Sequence, residues 1–396
     1  MKAYRLIGVS GSAAFVRVRR HLIWKNIAFT ETAADRNILN DEVKTRMRHA
    51  TLPLLITPDN RTLSNETAII DALNERHTEP DLLPDTPVGR YANRLIEAFS
   101  VKWLSPAVQS IGLNTSRDRF AQDLRDSVWP NGREEDDGAL VKRLVRQSEY
   151  RLTRTGFDPT RPETTQATMT AFLDALEHRL ERGSFLFGDH PKSADIALSA
   201  PLSLLPFGAG VAANMAVRFP GIQRWLMQMM EPPARRPSGD RNPSTVPESA
   251  TALLRFAAQA FLPPARQTAE ALSDWVETNP GQINLPRNFG LGQTNDDHDR
   301  QIELTPDYYW LMQGLVATIQ PDFRTADTAV IARLGAGDPT RWTLPREARY
   351  ENHKFRVNLV PNHVDDSEIA LPSLQDNLHQ IIENTRETRN LDALVA

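Results

Sequence analysis

Three short clusters hold the side chains best suited to chemistry. Ser10-Gly11-Ser12 stands between an extended stretch, Ala3 to Val9, and the first helical pattern. Its hydroxyls fall at a helix start, where unpaired N–H groups and the positive dipole end favour negative charge. Leu52-Pro53-Leu54-Leu55-Ile56-Thr57 is a compact apolar run with a proline near its beginning, closed by the turn residues Pro58-Asp59-Asn60. Ser64-Asn65-Glu66-Thr67 precedes Ala68, Ile69, Ile70 and Leu73, a second helix start with a carboxylate and a hydroxyl in its first turn. The chain has no cysteine. That removes disulfides, Cys-ligated zinc, iron–sulfur clusters and every mechanism built on a protein thiol, so an acting group here bears oxygen or nitrogen. The nine histidines show no pair at metal-ligand spacing, and no metal is assigned. Each cluster also has a plain structural explanation: Ser12 as an ordinary N-cap, Pro53 as an edge-strand proline, and Glu66-Thr67 as a helix start capped by Ser64 or Asn65.

The elements that must position these residues follow from periodicity. Strand, tight turn and helix account for Ala3 to Lys25, with Phe15, Val18, Leu22 and Ile23 at helical spacing and Arg17, Arg20, His21 and Lys25 mostly between them. Arg17, Arg19, Arg20 and Lys25 read as a solvated helix face. A strand at Ile27 to Thr30, a polar helix-compatible stretch at Asp35 to Arg48, a hairpin around Pro58-Asp59-Asn60 and a helix ending near His77 complete a β-α-β-α-β-β-α order. From Pro87 onward helical patterns take over: Tyr91 to Val108, Gly138 to Thr153, Pro162 to Arg182 and Asp195 to Leu205. Asp195 reads as a structural helix cap. A proline-, serine- and arginine-rich stretch near Pro232 is a linker by composition. Beyond it come a helix at Ala250 to Thr278 interrupted by Pro263-Pro264, a helix at Asp307 to Ile319, an extended segment at Lys354 to Val360 and an amphipathic tail at Leu371 to Leu391. The divisions are 1–80, 86–231, a linker at 232–248, and a mainly helical C-terminal extension at 249–396.

The 396 residues exceed one ordinary core. With 40% hydrophobic residues, 24% charged residues and a net charge of −4, the composition is that of a soluble protein with no global attraction for nucleic acid or an anionic membrane. Arginines interrupt the apolar core a secretory signal would need in the first 20 residues, so the expected location is cytoplasmic. The charge-free stretch Ile196 to Val217 is broken by prolines, glycines and serines and reads as a buried helix followed by a turn.

The order of elements and three motifs together resemble the glutathione S-transferase family. LIGVSGSAAFVRVRR is similar to the family's strand-turn-helix, in which a catalytic Ser or Cys lies six residues before a Val-Arg pair; with Val18-Arg19 as that pair, the matching position is Ser12, with Ser10 next in line. Ala13 departs from the proline usual after the catalytic residue. TLPLLITPDNRTLSNETAIIDAL resembles the glutathione-site stretch, placing Pro53 at its cis-proline and Glu66-Thr67 at its acidic-hydroxyl pair. FLFGDHPKSADIALSAPL resembles the family's core helix, with Asp195 at the buried capping position. The resemblance spans roughly residues 1 to 230. It implies a thioredoxin-like N-terminal domain, an all-α helical domain, glutathione as co-substrate, a small hydrophobic electrophile as second substrate, conjugation of the detoxifying kind, and a homodimer.

On this reading a cis bond before Pro53 turns the N–H and C=O of Leu52 outward to pair with the cysteinyl residue like an added strand. The start of the helix at Glu66-Thr67 takes the glutamyl end, Glu66 holding its ammonium or shaping the cap. Ser12 donates a hydrogen bond to the glutathione sulfur, and the helix start adds positive potential, so the thiolate is favoured. Tyr91, Phe99 and Trp103 are candidates for lining the electrophile pocket. Two other readings stand beside conjugation: a binding or scaffold protein that keeps the fold without turnover, and a glutathione-dependent isomerase.

Overall fold

The computed structural model describes residues 3–35, 37–47, 52–128, 138–158, 160–205, 217–230, 246–293, 300–318, 331–332, 347–351 and 354–358. Most of the 232–248 linker and the tail at Leu371 to Leu391 lie outside them.

Strand β1 (Tyr4–Gly8) enters helix α1 (Ala13–Trp24), and β2 (Phe29–Ala33) returns parallel to β1. A wide helical turn, Ile38–Val43, and the short α2 (Lys44–Arg46) lead to the antiparallel pair β3 (Leu54–Ile56) and β4 (Thr62–Ser64), then to α3 (Glu66–Arg76). The four strands lie in the order β2-β1-β3-β4, with β3 antiparallel to β1. One face buries Leu6 and Leu55 against Phe15, Val18 and Leu22 of α1 and Ile69, Ile70 and Leu73 of α3. The other buries Ile7, Leu54 and Ile56 against Val43 and Met47. This is the thioredoxin-like domain, its second strand displaced to Phe29–Ala33 from the expected Ile27 to Thr30. Gly8 is required by close approach: a Cβ there would stand 2.4 Å from the Phe15 ring, so a side chain would push α1 off the sheet.

Helices α4 (Pro87–Phe99), α5 (Ser105–Thr115), α6 (Arg117–Val128), α7 (Gly138–Arg154), α8 (Pro162–Leu180), α9 (Ser193–Leu202) and α10 (Pro220–Met230) form the helical domain, with a wide turn at Ser100–Leu104 between α4 and α5. Its local caps are explicit. Thr86 Oγ1 accepts from Gly89 N at 3.1 Å ahead of Pro87. The Glu177 carboxylate accepts from Gly221 N and Ile222 N at 2.6 and 2.8 Å, placing a negative charge on the α10 N-terminus. Asp195 is the structural cap that its position suggests: Oδ2 accepts from Lys192 N at 2.9 Å, and Oδ1 from Leu186 N and Trp225 Nε1, each at 3.0 Å. Burial pushes this carboxyl up to about 6 against those three hydrogen bonds.

The C-terminal third contributes α11 (Thr251–Thr278), the hairpin β5 (Leu291–Gln293) and β6 (Gln301–Glu303), α12 (Pro306–Val316), and the hairpin β7 (Ala348–Glu351) and β8 (Lys354–Val357). Its buried side chains join one core with those of the helical domain, and α11 and α12 both pack on α4. The expected break at Pro263-Pro264 is absent, because α11 runs through both prolines. Leu253, Leu254, Ala257, Phe261, Leu262, Ala265 and Leu272 are buried along the helix, and this packing outweighs the local penalty of about 3 kcal/mol per proline.

The solvated face expected for α1 is corrected at three of its four residues: Arg17, Arg20 and Lys25 are buried, as is His21 beside them, whereas Arg19 is exposed and pairs with Glu31 at 2.7 Å. Helix α1 is covered on its second side by α9, and Trp24 Nε1 donates to Met229 O at 3.3 Å, so the polar face is an internal seam. Lys25 Nζ donates to His77 O and Pro80 O at 2.5 and 3.2 Å. Burial and nearby Lys25 hold His21 down to about 3, despite its 3.0 Å contact with Asn74 Oδ1. Among the described residues no helix is long and apolar enough to cross a membrane.

Candidate active site

The sheet register brings the three sequence clusters to one edge. Ile7 pairs with Leu54, so the residues after Gly8 lie beside Pro53; Leu54 also pairs with Ser64, so the β4–α3 turn lies on the other side of that proline. The β1–α1 turn, the Leu52–Pro53 segment and the Asn65–Thr67 turn therefore occupy adjacent positions at the same end of neighbouring strands.

At the first position Ser12 has extended backbone angles, φ −95° and ψ 131°, and its Oγ accepts from Phe15 N at 3.3 Å. It is the N-cap of α1. Capping uses a lone pair and leaves the hydroxyl proton, for which no acceptor appears among the described residues. Capping and donation to a sulfur are thus compatible in one side chain. Ser10 is exposed in the preceding turn, with no hydrogen bond among the described residues. At the second position the Leu52–Pro53 bond is cis, Pro53 is buried and Leu52 partly so. Neither backbone polar group of Leu52 has a partner among the described residues, which suits pairing with an extended ligand.

The third position differs in detail from the expected open helix start. Asn65 is the N-cap of α3, at φ 68° and ψ 118°, and its Oδ1 accepts from Thr67 N and Ala68 N at 3.0 and 3.4 Å. Asn and Asp are the side-chain-bearing residues that tolerate positive φ best, which is the signal for Asn65 over Ser64. Two of the amides expected to meet a ligand carboxylate are therefore already capped, and Thr67 itself is buried. Glu66 keeps 16% of its side chain exposed and lies 3.6 Å from Arg17. Burial raises the Glu66 carboxyl, with Arg17 opposing.

Behind this edge lies a charge cluster that sequence reasoning missed. Arg17 of α1 stands 3.6 Å from both Glu66 and Glu97; Arg94 stands 2.8 Å from Asp71 and 3.0 Å from Glu97. Burial raises Asp71, whereas Arg94 and Arg17 together overcome burial at Glu97 and hold its carboxyl low. The Arg17 guanidinium is 2% exposed and has ion-pair partners just beyond hydrogen-bond length. The cluster ties α1, α3 and α4 together directly beneath Glu66. Nothing in the spacing of Arg17 distinguishes it from a surface cation, because its environment is supplied by α4 from 70 residues away.

Tyr91, Phe99 and Trp103 do not line an opening. All three are buried, Phe99 stacks on Trp103 at 5.1 Å, and Phe172 and Phe256 close around that pair. Trp225 is likewise in the core, and Trp129 lies outside the described residues.

Residues 159–226 match the sequence profile described as glutathione S-transferase, C-terminal domain. No curated protein matches the chain. Among solved structures, a glutathione S-transferase from Rhodospirillum rubrum F11 is 20% identical with a TM-score of 0.39, covering 63% of this chain and 99% of its own. The β-etherase LigF from Sphingobium sp. strain SYK-6 is 18% identical with a TM-score of 0.44, covering 59% and 96%. A glutathione S-transferase from Methylobacterium radiotolerans, solved with glutathione sulfonate, is 20% identical with a TM-score of 0.37, covering 59% and 92%. The profile match covers part of the helical domain, and over that segment the chain is similar to the C-terminal domain of glutathione S-transferases.

Proposed function

We propose that the chain binds glutathione along the edge formed by Ser12, Leu52–Pro53 and Glu66, stabilises its thiolate, and conjugates it to a small hydrophobic electrophile. The observation that carries the reading is the placement of a helix-start hydroxyl beside a cis-proline segment, the hydroxyl proton and the backbone groups of Leu52 having no partner among the described residues. The cysteinyl backbone pairs with Leu52, the glutamyl ammonium meets Glu66, and the sulfur lies at the start of α1. There the Ser12 proton and the helix dipole favour the anion over the thiol. The thiolate electron pair then forms a carbon–sulfur bond, and the electrophile either expels its leaving group or takes up a proton; Ser12 forms no covalent bond. Ser10 is the second candidate for the sulfur contact, and Thr67 contributes through its place in the turn. Association of two copies, a cytoplasmic location and the divisions at 1–80, 86–231, 232–248 and 249–396 belong to the same proposal.

A binding role without turnover is the second reading. It is favoured by the burial of Tyr91 and by the packing of Phe99 and Trp103 against Phe172 and Phe256, which leaves those rings unavailable to an electrophile.

Calorimetry with glutathione comes first, and absence of binding at millimolar ligand removes both readings. Turnover of a generic aryl halide by wild type, reduced about a hundredfold in Ser12→Ala, is the outcome expected for a lost anion-stabilising donor. An unchanged rate assigns the role elsewhere, and binding with no wild-type turnover selects the second reading.

A further inference from the structure

The C-terminal third reaches the Ser64–Thr67 turn from two sides. On one side, Tyr350 of β7 lies with its phenol oxygen 3.0 Å from Ser64 Oγ, the last residue of the edge strand β4. Its ring is held by Phe355 at 5.0 Å and Trp310 at 6.0 Å, and β7 is tied to α12 by Ala348 N donating to Gln313 Oε1 at 2.8 Å. On the other side, α12 backs Arg94 so closely that a Cβ on Gly314 would stand 3.4 Å from its Nε. Arg94 holds Asp71 of α3 and Glu97, Glu97 faces Arg17, and Arg17 faces Glu66.

The turn between these supports is one that a chain adopts only under constraint. Asn65 sits at φ 68° and ψ 118°, a region that residues with a side chain seldom occupy and that persists where the surroundings over-determine it. Ser64, immediately before it, borders only β3 within the sheet, so the hairpin supplies an anchor on the strand's outer end. We propose that Tyr350 is a positioning residue for the γ-glutamyl end of the ligand: by holding Ser64 it holds the Asn65 turn and thereby the placement of Glu66 and Thr67. The C-terminal third is then a working part of the ligand site, supplied by the same chain. This inference rests on the glutathione-binding reading above.

The test is a double-mutant cycle in the full chain, with glutathione as the calorimetric ligand and wild type, Tyr350→Phe, Ser64→Ala and the double variant compared. Tyr350→Phe is expected to weaken binding about fivefold, the effect of one neutral hydrogen bond, and the double variant to bind no more weakly than Ser64→Ala alone, because the Ser64–Tyr350 bond is already lost there. Stoichiometry should stay at the wild-type value, since a merely structural role would lower the fraction of competent protein and leave the dissociation constant unmoved. An unchanged constant in Tyr350→Phe, or single losses that multiply in full in the double variant, overturns the positioning role while leaving glutathione binding intact. Failure of wild type to bind glutathione overturns the functional reading and this inference together.

Discussion

Replacing Arg17 by methionine probes the cluster beneath the candidate site. Arg17 faces Glu66 and Glu97 at 3.6 Å each. At an effective dielectric near 20, a pair at that distance is worth about 4–5 kcal/mol of attraction, offset by several kcal/mol for taking the guanidinium out of water. Glu97 retains Arg94 at 3.0 Å, whereas Arg17 is the only ion-pair partner of Glu66 among the described residues. The loss therefore concentrates on Glu66. Its residual exposure places the expected destabilisation near 3 kcal/mol at pH 8, the lower end for a broken buried pair. Without Arg17 the folded carboxyl rises further above its unfolded value, so the native state binds the proton more tightly. The penalty is then smaller at pH 5 and grows as pH rises, by up to about 1.4 kcal/mol per unit. Urea unfolding followed by circular dichroism at pH 5 and pH 8 measures both values, and Arg17→Met/Glu66→Gln should recover most of the stability lost at pH 8. A loss independent of pH, or no recovery in the double variant, refutes the assignment of Arg17 as the counter-charge of Glu66.

Other consequences follow from the same coordinates. His21 is held neutral down to about 3; below pH 6.5 the unfolded chain takes a proton that the native state refuses, so stability falls by about 1.4 kcal/mol per pH unit. The stability difference between wild type and His21→Gln, measured by urea unfolding from pH 7 to pH 4.5, should show that slope, and a flat difference contradicts it. Asp195→Ala strands the Leu186, Lys192 and Trp225 donors, and about 3–5 kcal/mol should be lost in chemical unfolding, the relief of a buried carboxylate offsetting part of the three bonds. Gly221→Ala sets a Cβ 2.8 Å from Glu177 Oε1; displacement of that cap should lower stability by about 1–2 kcal/mol in the same assay.

Much of this molecule is legible before folding, and the limits have physical causes. The helix start at Ser12 follows from capping chemistry that acts within four residues. The hairpin and the proline of 52–64 are equally local, and the three clusters of the candidate site meet because a β-α-β-α-β-β-α order leaves few ways to pair the strands. What was not legible depends on distant partners. Arg17, Arg20 and Lys25 carry the same signature of a wet face as the exposed Arg19, and it is the arrival of α9 that makes them interior. Pro263-Pro264 reads as a break because propensity is local, while the packing that carries α11 through is supplied by the rest of the core. Of the two hairpins of the C-terminal third, β8 falls in the extended segment read at Lys354 to Val360, while β5, β6 and β7, of three or four residues, are too short for alternation to stand out. Tyr350 meets Ser64 across 286 residues, a contact no local pattern announces.

The most direct measurement is an ultraviolet titration of the glutathione thiolate on the protein, wild type against Ser12→Ala. The account predicts that bound glutathione ionises well below the ordinary thiol value of about 8.5 in wild type and returns toward it in the variant. Ionisation of the wild-type complex at the free-solution value, or a depressed value that survives loss of the Ser12 hydroxyl, would contradict it.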